Sequence, residues 1–190
     1  MLKRLLLATA VLAAFTAPAF AHLDPTEHGS FFAGISHPLF GLDHILAMVA
    51  VGLWAAQIGG KALWTVPAAF VGTMALGFFA ALNGLALPFV EPAILASVIG
   101  LGLLVSMAVK VPASVSAAVV AVFALFHGFA HGGELGSAGA LRFALGFLIA
   151  TGLLHGVGIV LGLGITRLAP SATRIAGAVT ALLGLSLAFG

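Results

Sequence analysis

The sequence predicts an all-α protein: a polytopic membrane helix bundle with six transmembrane helices after a cleaved N-terminal signal peptide. Three observations carry that expectation. Of the 190 residues, 62% are hydrophobic and only 6% are charged, and the mean hydropathy is +1.27. Soluble domains carry about 25% charged residues, so this chain has too few to cover a water-soluble globule. Apolar content this high equally excludes intrinsic disorder. The chain also opens on a targeting pattern, and the remainder divides into six apolar stretches.

Met1-Leu2-Lys3-Arg4 is a short positive region, Leu5 to Phe15 an apolar run, and Pro18 a break. Ala19-Phe20-Ala21 then places small residues at the two positions a signal peptidase reads. As an uncleaved anchor, Leu5 to Ala21 falls short of the roughly 20 residues a span needs. Residues 1–21 are therefore expected to be removed, leaving 22–190 as one transmembrane domain with its N-terminus outside the cytoplasm. His22 becomes the first residue. Its free α-amine and imidazole could chelate a metal together; equally, His22 could simply follow the cleavage site.

The six stretches run Leu39–Ile58, Ala62–Leu82, Pro92–Val109, Ala113–Ala130, Ala140–Ile165 and Thr173–Gly190. Each break between them carries a charge, a proline or glycines. Starting outside and alternating puts Lys61, Lys110, Arg167 and Arg174 on the cytoplasmic side and only Arg142 opposite, as the positive-inside rule requires. This implies a bacterial inner membrane protein with a periplasmic mature N-terminus. In the fifth stretch, Gly152-Leu-Leu-His-Gly156 and Gly158-Ile-Val-Leu-Gly162 are small-x-x-x-small repeats, expected to let helix backbones approach closely.

The chain has no cysteine, which excludes disulfides, zinc-thiolate sites and iron–sulfur clusters. With seven Lys and Arg against five acids and no basic run, nucleic acid is not an expected partner. No His-Glu-x-x-His, Gly-x-Ser-x-Gly or phosphate-binding loop is present, so enzymatic activity is not expected.

Seven histidines outnumber the five acids, and most ligand-type side chains fall at the outer end of the six-span arrangement. The first constellation is His37-Pro-Leu-Phe-Gly-Leu-Asp43-His44. A carboxylate in a membrane costs about 2.5–3.5 kcal/mol on insertion scales and needs a partner. Imidazole with carboxylate suits divalent nickel, cobalt or zinc. On a continuous helix His37 and His44 would lie about 10 Å apart along the axis, too far to share an ion. Either Pro38 and Gly41 break the helix and fold the segment around one ion, or the residues are successive stations; Asp43 could instead have a purely structural role. The second constellation is His127-Gly-Phe-Ala-His131-Gly-Gly-Glu134. An i,i+4 histidine pair shares one helix face, and Gly132-Gly133 is expected to end the helix and turn Glu134 back. His155, with Thr151 and Gly156, lies near mid-membrane, as an onward ligand, a proton relay or a histidine satisfied by a helix–helix hydrogen bond. Glu91, before Pro92, either completes the outer site or is a solvated helix-terminal acid.

With these motifs the chain resembles the HupE/UreJ family of membrane proteins. The resemblance rests on His37-Pro38…Gly41…Asp43-His44 continuing into Leu46-Ala47-Met48, on His127-Gly128…Ala130-His131-Gly132…Glu134, on Glu91-Pro92 and Phe70, and on the signal followed by His22. It implies a secondary permease taking up divalent nickel, or cobalt, for hydrogenase or urease maturation, with the ion as cargo and no prosthetic group. The metal-site candidates are then His37, Asp43, His44, Glu91, His127, His131, Glu134, His22 and His155. The partners implied are the ion, the lipid bilayer, a second copy of the chain, and nickel-enzyme maturation proteins. Classical nickel/cobalt permeases carry His-x4-Asp-His; here five residues separate His37 from Asp43, so that geometry does not transfer. A non-transporting metallochaperone and a haem- or quinone-binding electron carrier are the alternatives. A haem would need axial ligands facing each other deep in the bundle, whereas most of these histidines sit near one end.

Overall fold

The computed structural model describes residues 30–135 and 139–190, without the side chains of 134–135, 166–168 and 170. The signal segment and His22 lie outside the described residues. Among those described there are seven helices and no strand. They are α1 (Phe31–Phe40), α2 (Leu42–Ile58), α3 (Ala62–Leu82), α4 (Val90–Ser106), α5 (Ala113–Leu135), α6 (Ala140–Leu168) and α7 (Pro170–Phe189).

The helices α3, α5, α6 and α7 are long and apolar enough to cross a membrane, and α1 with α2 forms a fifth such unit bent by 83°. The chain is a multi-pass membrane protein. The first apolar stretch thus differs from the single span expected from Leu39. Helix begins at Phe31, where the Ser30 hydroxyl accepts a hydrogen bond from the Ala33 amide at 2.9 Å, and it breaks at Gly41, whose φ and ψ of −84° and 114° are extended. Pro38 stays inside α1 and is not the point of rupture.

The third stretch forms only the 17-residue α4, about 26 Å at 1.5 Å per residue, against roughly 30 Å of hydrocarbon. Backbone carbonyls left open in lipid are costly, and the C-terminal end of α4 is covered by neighbouring side chains. Gln57 Nε2 donates to the Val105 carbonyl at 3.0 Å, Arg174 Nε to that of Ser106 at 2.9 Å, and Trp54 Nε1 to that of Val109 at 2.8 Å. These bonds tie α2, α4 and α7 together at the end of the bundle that carries Lys110.

Four close helix pairs build the bundle: α3 with α5, α4 with α7, α2 with α6, and α1 with α6. Glycine sets each approach. A Cβ on Gly128 would overlap the Met74 carbonyl, one on Gly52 the His155 carbonyl, one on Gly177 the Ser106 amide, and one on Gly34 the Phe143 carbonyl. Helices without a hydrophobic drive toward each other in lipid associate through such backbone proximity. Of the two repeats expected to pack α6, Gly158 and Gly162 do so, against Gly52 and Ala56 of α2. Gly152 and Gly156 do not: a Cβ there meets nothing within 4 Å, and both face an open groove with Leu153, Val157, Val160 and Leu161. The opposite side of α6 already holds α1 and α2.

Gly132-Gly133 does not end α5 as expected; helix continues to Leu135. Gly132 packs on the Phe78 carbonyl of α3, so its missing side chain serves the helix contact rather than a turn. The Glu134 side chain lies outside the described residues.

Candidate metal centre

The interior of the bundle is written in i+4 stripes. Residues four apart stand above one another on a helix. Phe143, Phe147, Thr151 and His155 form such a row on α6, and Phe78, Met74 and Phe70 form one on α3; all seven side chains are buried. His131 and His127 form a third row on α5, also buried.

The break at Gly41 brings the first constellation to these rows. Because α1 and α2 meet at a sharp angle, His37 and His44 face each other across the bend instead of lying two turns apart, and their ring centroids are 5.7 Å apart. The His131 ring lies 4.3 Å from that of His37 and 4.8 Å from that of His44. One nitrogen from each of His37, His44 and His131 falls within 4.8 Å of the others. Three helices, α1, α2 and α5, thus deliver three imidazoles to one point. Phe147 of α6 packs its ring 4.8 Å from that of His131, and Phe143 lies 5.7 Å from His37, so the group has an aromatic wall.

His44 is the hinge of the group. Its Nε2 lies 2.7 Å from His131 Nε2, and its Nδ1 lies 3.0 Å from Asp43 Oδ2. A carboxylate beside Nδ1 favours the tautomer with its proton there, which leaves the Nε2 lone pair toward the other imidazoles. The two groups are close but not aligned as a hydrogen bond; a small turn of either side chain would give the Nδ1–H to carboxylate bond that commonly supports a metal-binding histidine. Two nitrogens bound to one ion at about 2.0–2.1 Å stand roughly 3 Å apart, so the His44–His131 pair needs only a small opening, with the proton between the rings carried on His131 Nδ1 instead of Nε2. His37 is the ring that must close in. Asp43 sits in the first turn of α2, where the helix dipole favours a negative charge.

Glu91 is exposed, in the first turn of α4, and does not join the three imidazoles. It lines an open cleft of about 340 Å³ with Phe40, Gly41, Leu42, Asp43, Leu95 and Leu187, so the two carboxylates share one cleft. The i,i+4 spacing pairs His127 with His131, but its Nε2 is engaged by the Ser97 hydroxyl of α4 at 2.9 Å. Its ring still touches that of His44, at 5.2 Å. His155 is buried deeper, edge-on to Phe70 at 5.0 Å, and is not part of the three-imidazole group. Sequence reasoning missed Ser97, Phe143 and Phe147. The two phenylalanines had a readable signal, since they lie eight and twelve residues before His155 on one helical face.

Residues 9–187 match the family described as HupE / UreJ protein. The chain is 48% identical over 189 residues to Protein HupE of Rhizobium leguminosarum bv. viciae, covering 96% of this chain and 97% of that one. No solved structure matches. A match across nearly the whole length, carried by a relative this similar, shows that the chain belongs to the HupE/UreJ family.

Proposed function

We propose that the protein is a permease that takes up divalent nickel, with cobalt as the next candidate, across the bacterial inner membrane in support of hydrogenase or urease maturation. The observation that carries this reading is the meeting of His37, His44 and His131 at one point of a lipid-embedded bundle. Neutral imidazoles with a flanking carboxylate suit nickel and cobalt. Asp43 and Glu91, in their shared cleft, attract the dication from the periplasm, and Asp43 orients His44. With the mature N-terminus periplasmic and Lys61, Lys110, Arg167 and Arg174 cytoplasmic, α4 also crosses, as the third of six spans. A dication drawn by a negative-inside potential gains about 4.6 kcal/mol per 100 mV, twice the single-charge value, so uptake needs no nucleotide hydrolysis. Glu134 and His22 are proposed as accessory ligands at the outer mouth.

Nickel accumulation in cells tests this. Asp43→Asn, His44→Ala and His131→Ala are each expected to lower uptake by about 10–100-fold, the usual loss when a ligand or its supporting carboxylate is removed. Unchanged uptake in all three would remove the proposed path. Purified protein in liposomes separates a permease, which moves nickel alone, from a chaperone, which binds nickel and moves none.

A further inference from the structure

We propose that His155 is an inner binding station for the same dication, loaded from the outer three-imidazole group past the ring of Phe70; this rests on the permease reading. His155 is 0% exposed, and neither of its ring nitrogens has a hydrogen-bond partner among the described residues. Buried polar groups are normally satisfied. Ser97, Ser116, Thr151 and Thr180 each make a hydrogen bond, which leaves His155 as an imidazole with two donor atoms and nothing bound to them. Neither can it turn away to find water. Its own carbonyl is pressed against Gly52 where α2 crosses α6, and that crossing fixes the backbone that carries the ring.

Position along the bundle gives the orphaned ring a role. His155 stands two turns beyond Phe147, about 12 Å along α6, and Phe147 touches the outer group. Between them the α6 row offers the Thr151 hydroxyl, which reaches Met74 Sδ at 3.9 Å. On the facing helices, the Phe70 ring contacts His127 at 5.7 Å and His155 at 5.0 Å, and His127 in turn touches His44. The order from outside inward is therefore His37, His131 and His44, then His127 held by Ser97, then Phe70, then His155. Neutral imidazole on both sides of a phenylalanine gives the ion a ligand before and after an apolar constriction. Weak binding at several sites is what conduction requires.

The test uses Ni²⁺ itself with the full chain, measured by equilibrium binding in detergent and by uptake into liposomes. His155→Leu is expected to keep Ni²⁺ affinity at the outer group within about twofold, to lose one bound ion per chain, and to slow uptake about tenfold or more. His155→Cys is expected to restore the second bound ion and to shift preference toward Cd²⁺, because thiolate favours softer ions; a packing role would not produce that shift. Wild-type uptake and stoichiometry in His155→Leu would overturn the inner station and leave the permease reading intact. Loss of outer-site binding in both variants would assign His155 to packing and also overturn it. If the wild-type chain binds nickel but moves none, the permease reading fails instead. The stoichiometry then still decides the station: one ion lost in His155→Leu supports it, and none lost overturns it.

Discussion

At the residue scale, Gly41 shapes the metal centre without being a ligand. Its backbone dihedrals are open to any residue, so the requirement is space. A Cβ there would come within 2.9 Å of His44 Nδ1 and 3.0 Å of Asp43 Oδ1, pushing apart the carboxylate and the imidazole it orients. Gly41→Ala is therefore expected to weaken Ni²⁺ binding by about tenfold, the lower end of the cost of disturbing a ligand's support, while helicity is retained. A Ni²⁺ titration of the purified variant checks this, and wild-type affinity would show that Asp43 does not position His44. The donor types were legible in the sequence, because an Asp and several His in an apolar chain stand out against the cost of placing them there. Which of them meet was only half legible. A separation of seven positions between His37 and His44 forbids a shared ion on a straight helix, and the remedy, a break, was visible as a choice between Pro38 and Gly41. The direction of the bend goes with the packing of both α1 and α2 on α6, which no local pattern records. His127 illustrates the opposite failure: the i,i+4 spacing to His131 is real, but Ser97 of another helix engages its Nε2.

At the element scale, the helices are apolar on every side, so amphipathicity says little about which face packs inward. Glycine position carries that information instead, and only in part. The repeats in α6 look alike in sequence, yet Gly158 and Gly162 meet α2 whereas Gly152 and Gly156 face an open groove. The difference is one of phase around the helix, set by where α1 and α2 lie. Gly128→Ala, whose Cβ would overlap the Met74 carbonyl of α3, is expected to destabilise the bundle by about 1–3 kcal/mol, the usual cost of overpacking. Gly152→Ala is expected to change stability by less than about 0.5 kcal/mol. Thermal unfolding in detergent compares the two, and equal effects would contradict the assignment of packed and open faces.

At the scale of the whole molecule, composition alone made the membrane bundle legible, and the apolar stretches located all of the seven described helices except α1. The number of crossings was less legible, because α4 is short and has Gln57 and Arg174 covering its C-terminal carbonyls, with Trp54 bonded to Val109 just beyond it. The native chain has no cysteine, so single introductions report topology cleanly. With six crossings, a membrane-impermeant thiol reagent should label Glu91→Cys in intact spheroplasts and Lys110→Cys only after permeabilisation. Labelling of both from one side would make α4 a re-entrant segment.

Three helices carry three imidazoles to one point, where the proposed dication binds. Nickel-edge X-ray absorption of the purified, nickel-loaded protein measures this directly. The expected result is an imidazole-rich nickel shell that loses about one imidazole in each of His37→Ala, His44→Ala and His131→Ala, as ligand identity and count require. An all-oxygen shell, or an imidazole signal untouched by all three substitutions, would contradict it.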